Sequence, residues 1–426
     1  MAGTALSMTS CGIVSVVLAG GEGKRLLPLT QDHAKPHLRF GGTPRLIDFV
    51  LANLTNAGYS QILVLTQYQS RSLDDYMACA WRPASGYIRP VPAGGRTHCS
   101  GTAQALAQNL HLLQAQTSRM PEHVMVFGAD HVYRMDPRQM VAQHRESGAD
   151  VTVAAIRQPV GLARHFGVIE CVPGSRRVDR FVEKPQTCRG LPDAPDQIHA
   201  SMGNYVFRTE ALIEALRSDA LDPFSAHDIG ANIIPMIAGD GHADVHEFAD
   251  NLVPGVDERQ RGYWRDVGTL QAYYDAHLDL LGPEPAFSLH NDRWPLGHRH
   301  DPALAMLLGG QRTHSAAVTD SILSPGLQLG SRASMSRSVA GPRVLLESGA
   351  RVEDSVLLDG VRIGAGAQLR RAIVDQDVVV PAGTVVGFDA EEDERRFSVT
   401  ESGVVVISRD SFGLAERPMP DQALVR

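Results

Sequence analysis

Small and aliphatic residues return at every sixth position near the carboxyl end of this 426-residue chain, and few folds can use such a step. Val361, Ala367, Ile373, Val379 and Val385 keep the spacing, with Gly364, Gly366 and Gly383 at turn positions. An earlier frame, Val344, Ala350 and Val356, has the same step and slips by one residue before Val361. Little helical periodicity accompanies it. A hexapeptide β-helix accounts for the spacing, each side of the coil burying one apolar residue. A plain antiparallel sandwich is the alternative. The ends of a solenoid need covering, so capping or self-association is expected.

The preceding residues have a different texture. From Ser15 to about Leu280, apolar strand-like runs (Ile62–Leu65, Val124–Phe127, Val151–Ile156, Tyr205–Phe207) alternate with segments of helical spacing (Leu46–Asn56, Thr102–Gln116, Glu210–Arg217). That alternation predicts a mainly parallel α/β sheet with ligands at the carboxyl ends of its strands. Pro283, Pro285 and the stretch from Trp294 to Arg312 read as a connector. The length itself calls for two to three domains.

Composition excludes several classes. A net charge of −8 without a basic block argues against nucleic acid as a partner. No apolar run reaches the roughly 18 residues a membrane span needs. Met1 to Ser10 have neither the cationic nor the apolar part of a signal peptide, so a cytoplasmic location is expected. The five cysteines (Cys11, Cys79, Cys99, Cys171, Cys188) are irregularly spaced, which speaks against a disulfide framework or a zinc site. His298-Arg299-His300 lacks metal-ligand spacing and reads as surface loop.

The first strand carries the clearest chemistry. Val16-Val17-Leu18-Ala19 runs into Gly20-Gly21-Glu22-Gly23-Lys24-Arg25. Glycines let backbone N–H groups approach a phosphate, and the two cations supply counter-charge. A P-loop is excluded because Gly23-Lys24 is followed by Arg25 rather than Ser or Thr. A dinucleotide fingerprint is excluded because Leu26, Leu27 and Pro28 replace the last glycine and the helix start.

Two carboxylates stand beside glycine breaks. Asp130 follows the run Val124 to Phe127, and Asp266 lies in Tyr263-Trp264-Arg265-Asp266-Val267-Gly268-Thr269. Converging on a phosphate-binding strand end, such a pair suits Mg²⁺, which takes few protein oxygens and leaves room for phosphate oxygens. As single residues, each reads equally as a cap or turn residue. Phe181-Val182-Glu183-Lys184-Pro185 sets an anion beside a cation at another strand end. Lys184 can bind a phosphate monoester and Glu183 can accept polyol hydroxyls; the plain alternative is an exposed ion pair. Ser201-Met202-Gly203-Asn204-Tyr205 and His227-Asp228 add hydroxyl-reading groups.

Taken in order, LAGGEGKRLLPLT, AKP, RLIDF, LTQY, FGADHVYRMD, FVEKP, SMGNYVF, YWRDVGT and AEEDERRF resemble the bacterial glucose-1-phosphate adenylyltransferases, over about Val14 to Phe412. The resemblance implies a nucleotidyltransferase domain over residues 13–282, a connector over 283–312, a left-handed β-helix over 313–412 and a tail over 413–426. It also implies a Mg²⁺-dependent reaction of ATP with glucose 1-phosphate and a homo-oligomer, tetramer or dimer. Matched by motif, Leu18, Ala19, Gly20, Gly21, Gly23, Arg25, Gly101, Thr102 and Asp130 would hold the nucleotide. Arg25, Lys35 and Asp130 would be catalytic, and Asp130 and Asp266 would hold the metal. Glu183, Lys184, Ser201, Tyr205, Asp228 and Trp264 would bind the sugar phosphate.

The departures cluster. The family's Trp-Tyr before the GTADA helix start is replaced in Thr97-His98-Cys99-Ser100-Gly101-Thr102, and a glutamine pair in the preceding loop by Gly94-Gly95. Losing an amide there removes one means of reading an adenine edge. His37-Leu38-Arg39 replaces small apolar residues, and Asp32-His33 stands where enteric members carry a basic effector-binding pair. Two other readings therefore stay open. One is a paralogue using another base or acceptor, such as GTP and a cyclitol 1-phosphate of the valienol type. The other is a non-catalytic regulatory subunit, against which the presence of Arg25, Lys35, Asp130, Lys184 and Asp266 speaks.

Overall fold

The computed structural model describes residues 12–413, apart from 84, 94–98, 100, 116–119, 298–305, 309–310 and 313–315. Strand β1 (Ile13–Ala19) lies inside a nine-stranded sheet. On one side follow β2 (Gln61–Thr66) and β3 (Tyr87–Pro92), on the other β4 (His123–Gly128), all parallel. Both faces of β1 are covered. Ile13, Val17 and Ala19 enter one apolar core and Val14 and Val16 the other, which is why the run is apolar throughout. Beyond β4, the short β5 (His131–Tyr133) leaves the sheet.

The outer part of the sheet holds β6 (Val151–Pro159), the hairpin β7 (Gly167–Cys171) and β8 (Val178–Glu183), then β9 (Gln197–Arg208) and β10 (Ala243–Glu247). The order across the sheet is β10-β6-β9-β4-β1-β2-β3, with the hairpin hung on β9. β9 runs antiparallel to β4, β6 and β7, and its pairing with β6 is broken by a bulge between Val153 and Ala155. β11 (Trp264–Asp266) pairs antiparallel with β5, setting Asp266 opposite His131.

Four helices matter for the site and its frame: α1 (Leu46–Asn56), α2 (Thr102–Gln108), α3 (Thr209–Leu221) and α4 (Leu270–Leu278). The helical spacing from Thr102 to Gln116 is interrupted after Gln108. Asn109 is buried and its amide donates to the Ala105 carbonyl at 2.8 Å, so a side chain joins the backbone ladder at the break. A further short helix covers His111–Ala115. Among the described residues no helix is long and apolar enough to cross a membrane.

The carboxyl-terminal strands wind into coils of three sides, consistent with the left-handed β-helix expected. Ile322 pairs with Val339 and Val339 with Val356, so one coil takes seventeen residues, not eighteen. The corners show where the residue is lost. Positive φ recurs at Asp320, Arg337, Asp354 and Arg371, at Gly326, Arg343, Gly360 and Asp377, and at Arg332, Gly349, Gly366 and Gly383. Successive corners are thus six, six and five residues apart. The uninterrupted sixfold frame after Val361 is therefore corrected. Val361, Ala367 and Ile373 are fully buried, but Val379 and Val385 are 47% and 46% exposed, and Val378 takes the interior position. A serine ladder runs up one side. The Ser321 hydroxyl accepts from Ser338 N, that of Ser338 from Ser355 N, and that of Ser355 from Ala372 N, at 3.0–3.2 Å.

The β-helix shares a core with the sheet region: Ile322, Val339, Val356 and Ile373 pack in one cluster with Phe40, Tyr273 and Tyr274. Arg39 forks onto Asp359 at 2.9–3.1 Å, and the Tyr274 hydroxyl donates to the Asp354 carbonyl at 2.6 Å.

Candidate active site

A cleft of about 860 Å³ opens at the carboxyl ends of β1, β2 and β4. Of the residues singled out from sequence, Leu18, Gly20, Gly21, Lys35, Gly101, Thr102, Asp130, Glu183, Lys184, Tyr205 and Asp228 line it. Ala19, Gly23, Arg25, Ser201, Trp264 and Asp266 stand behind or beside the wall.

At the floor, the glycine turn packs on Lys35. Gly23 adopts φ +68°, and a Cβ there would meet Thr30 Cγ2 at 2.9 Å and Lys35 Cβ at 3.2 Å. The Gly23 carbonyl accepts from Leu26 N and from the Thr30 hydroxyl, at 2.8 and 2.9 Å. Arg25 is exposed, yet its Nη2 lies 3.2 Å from where a Cβ on Gly268 would stand, beside Asp266.

Lys35 is the centre of the charged group. Its side chain is 8% exposed, and Nζ reaches Asp130 Oδ2 at 2.8 Å and Asp266 Oδ1 at 3.5 Å. The β5–β11 pairing brings these sequence-distant carboxylates together. Burial works against the Lys35 charge, but Asp130 and Asp266 outweigh it and raise the ammonium's pKa. Desolvation likewise opposes the Asp130 carboxylate, yet Lys35 and His131 hold it well below the usual range. One ligand atom from each of Asp130, His131 and Asp266 lies within 4.8 Å of the others. Two carboxylates at that spacing, Asp130 lining the cleft and Asp266 beside its wall, fit a divalent cation that also takes phosphate oxygens.

The opposite wall is polar. Glu183 ends β8, and Lys184, at φ +46°, turns its ammonium back to Glu183 Oε1 at 2.7 Å. Thr102 donates to Asp228 Oδ2 at 2.8 Å and accepts from Ile229 N at 2.9 Å. Gly101 has no room for a side chain: a Cβ would stand 2.2 Å from the His227 carbonyl oxygen. The Tyr205 hydroxyl is 3.5 Å from Ser201 Oγ, which also accepts from Gly203 N at 3.2 Å. Burial first, then the charges of Glu183 and Asp228, push the Tyr205 phenol up and keep it protonated. Trp264 is buried, its ring 5.0 Å from His131 and 5.7 Å from Phe166.

Sequence reading missed several lining groups, among them His131, Gln67 and Tyr68. His131 was legible as the neighbour of Asp130; it is 12% exposed, with Nε2 3.4 Å from Asp130 Oδ1 and Nδ1 buried without a hydrogen-bond partner. Gln67 donates to the Cys99 carbonyl at 3.2 Å, tying the end of β2 to the segment before α2. Cys99 lines the cleft, whereas Gly94, Gly95 and His98 lie outside the described residues, as do Met1 to Ser10 and His298-Arg299-His300.

Comparison with known proteins places this geometry. The nucleotidyl transferase family profile matches residues 14–282, and a GlmU-like C-terminal hexapeptide profile matches residues 303–407. A glucose-1-phosphate adenylyltransferase of Acidothermus cellulolyticus is 50% identical over 411 residues, covering 94% of this chain and 98% of the relative. Proteins of the same name from Rhodococcus erythropolis and Parafrankia sp. are 52% and 48% identical, covering 93% and 94% of this chain and 98% of each relative.

Proposed function

Because the chain belongs to the glucose-1-phosphate adenylyltransferase family, a family of sugar-1-phosphate nucleotidyltransferases, we propose that it converts ATP and α-D-glucose 1-phosphate to ADP-glucose and diphosphate. The observation that carries this reading is the Lys35–Asp130–Asp266 cluster, set against the glycine turn and across one cleft from Glu183-Lys184.

In this reading the backbone of Leu18 to Gly23, with Gly101 and Thr102, receives the nucleotide, and Arg25 and Lys35 face its phosphates. Glu183, Ser201, Tyr205, Asp228 and Trp264 form the sugar side, and Lys184 takes the sugar's phosphate. That phosphate is already an anion, so no general base is needed. One of its oxygens bonds to the α-phosphorus of ATP as the bond from that phosphorus to the bridging oxygen breaks, and diphosphate leaves. The obstacles are mutual repulsion and alignment. Two cations at the phosphates lower the first, and Lys184 fixes the second. Asp130 and Asp266 would hold Mg²⁺, which supplies charge neutralisation at the transferring phosphate.

The same reading carries a cytoplasmic enzyme that assembles as a homo-oligomer, a tetramer or dimer, which solution mass measurements such as light scattering check directly. The reaction is tested by isolating the product: ATP, glucose 1-phosphate and Mg²⁺ should yield ADP-glucose and diphosphate in equal amounts. Hydrolysis to nucleotide and free phosphate, or no turnover, would overturn it.

A further inference from the structure

Two carboxylates that share a cation site repel one another unless something positive lies between them. In this molecule that charge is Lys35 Nζ, 2.8 Å from Asp130 and 3.5 Å from Asp266, on a side chain that is more than nine-tenths buried. Its stem is confined near the backbone, because a Cβ on Gly23 would stand 3.2 Å from Lys35 Cβ and the segment Lys35–His37 is a 3₁₀ turn with Pro36 in it. The ammonium and a divalent ion would therefore compete for the same oxygens. Bound together, they would set three positive charges against two negative ones inside a cleft.

We propose that Lys35 is a placeholder cation, which keeps Asp130 and Asp266 in metal-binding position and excludes a divalent ion until a polyphosphate enters. This rests on the reading of the cleft as a nucleotide site. A polyphosphate on the glycine turn lies against the Lys35 stem and supplies the negative charge that lets ammonium and metal coexist. Metal binding is then ordered: the ion enters with the nucleotide, not before it. Asp266 is the carboxylate released first, since its contact with Nζ is the longer one. Lys35 accordingly acts as a positioning residue in the free protein and turns to the phosphates in the complex.

The test uses metal-free, full-length protein and Mn²⁺ alone, with free Mn²⁺ read by its paramagnetic resonance signal and no nucleotide present. Wild-type protein should hold Mn²⁺ weakly. Lys35→Met, which keeps the length and removes the charge, should bind at least about tenfold tighter, as expected when a competing unit charge leaves a partly screened site. Lys35→Arg should stay as weak as wild type, and adding Asp266→Asn to Lys35→Met should abolish the gain. Equal Mn²⁺ affinity in wild type and Lys35→Met would overturn the proposal. Should the methionine variant not fold, the wild-type titration alone decides: tight Mn²⁺ binding at Asp130 and Asp266, lost in Asp266→Asn, would overturn it equally. The readout is independent of turnover, so absent ADP-glucose synthesis with the Mn²⁺ pattern intact would count against the proposed substrates and not against Lys35.

Discussion

Lys184 is held in a left-handed conformation, which a non-glycine residue adopts at a cost of about 1 kcal/mol. The conformation lets its backbone N–H donate to the Phe166 carbonyl at 3.0 Å while the ammonium stays at the cleft. Lys184→Gln should therefore raise KM for the sugar phosphate by about a hundredfold and leave KM for the nucleotide within about threefold. An equal rise in both constants would remove Lys184 from the sugar side. Asp130→Asn and Asp266→Asn should each lower kcat by about a hundredfold or more, with an unchanged circular dichroism spectrum. Asp130 was visible in sequence because it follows a strong apolar run and a glycine break, and Asp266 because an aromatic pair precedes it and a Gly-Thr turn follows. His131 was legible only as the neighbour of Asp130. What singles it out, an unpartnered buried Nδ1 beside Trp264, exists only after β11 has paired with β5.

At the scale of elements, the coil of the β-helix offers a sharp contrast between neighbours. Val378 is 2% exposed and Val379 47%. Val378→Ala should cost about 1–3 kcal/mol of stability in chemical denaturation, and Val379→Ala less than about 0.5 kcal/mol. The reverse ranking would restore the strict six-residue step. Ser338→Ala should cost about 1–3 kcal/mol, because Ser355 N would be left buried without an acceptor. The repeat was legible because one apolar residue per side must point inward. The five-residue step from Ile373 to Val378 was not, since a valine satisfies the pattern equally at 378 or 379 and only the corner conformation at Asp377 sets the register. The reversal of β9 was likewise hidden, because a strand buried on both faces reads the same in either direction.

At the scale of the whole molecule, the seam between sheet and β-helix had no signal in the sequence, since it is built from single residues far apart in the chain. Asp375 lies along it. Burial pushes its carboxyl up to about 6, with Asp32 and Asp377 adding to the rise and Gln376 N and Arg409 opposing it. A folded-state value above the unfolded one means that the folded protein binds the extra proton, so stability falls as pH rises from about 4 to about 6 and stays lower above that. Asp375→Asn should thus raise the unfolding free energy at pH 7.5 by up to about 3 kcal/mol and change it little at pH 4, as read by chemical denaturation at the two pH values. A variant that gains nothing at neutral pH would show that the charge at Asp375 is already compensated. The seam also joins the sheet region to the coils through Arg39 and Asp359, so both halves should unfold in one calorimetric transition.

The central claim, that one cleft joins a nucleoside triphosphate to a sugar 1-phosphate, is met most directly by diphosphate release across a matrix. ATP, GTP, CTP and UTP are each paired with glucose 1-phosphate and with a cyclitol 1-phosphate. ATP with glucose 1-phosphate should give a kcat/KM at least about tenfold above every other pair, the discrimination that one hydrogen-bonded edge can supply. Faster release from GTP with the cyclitol phosphate, or no release from any pair, would contradict the account.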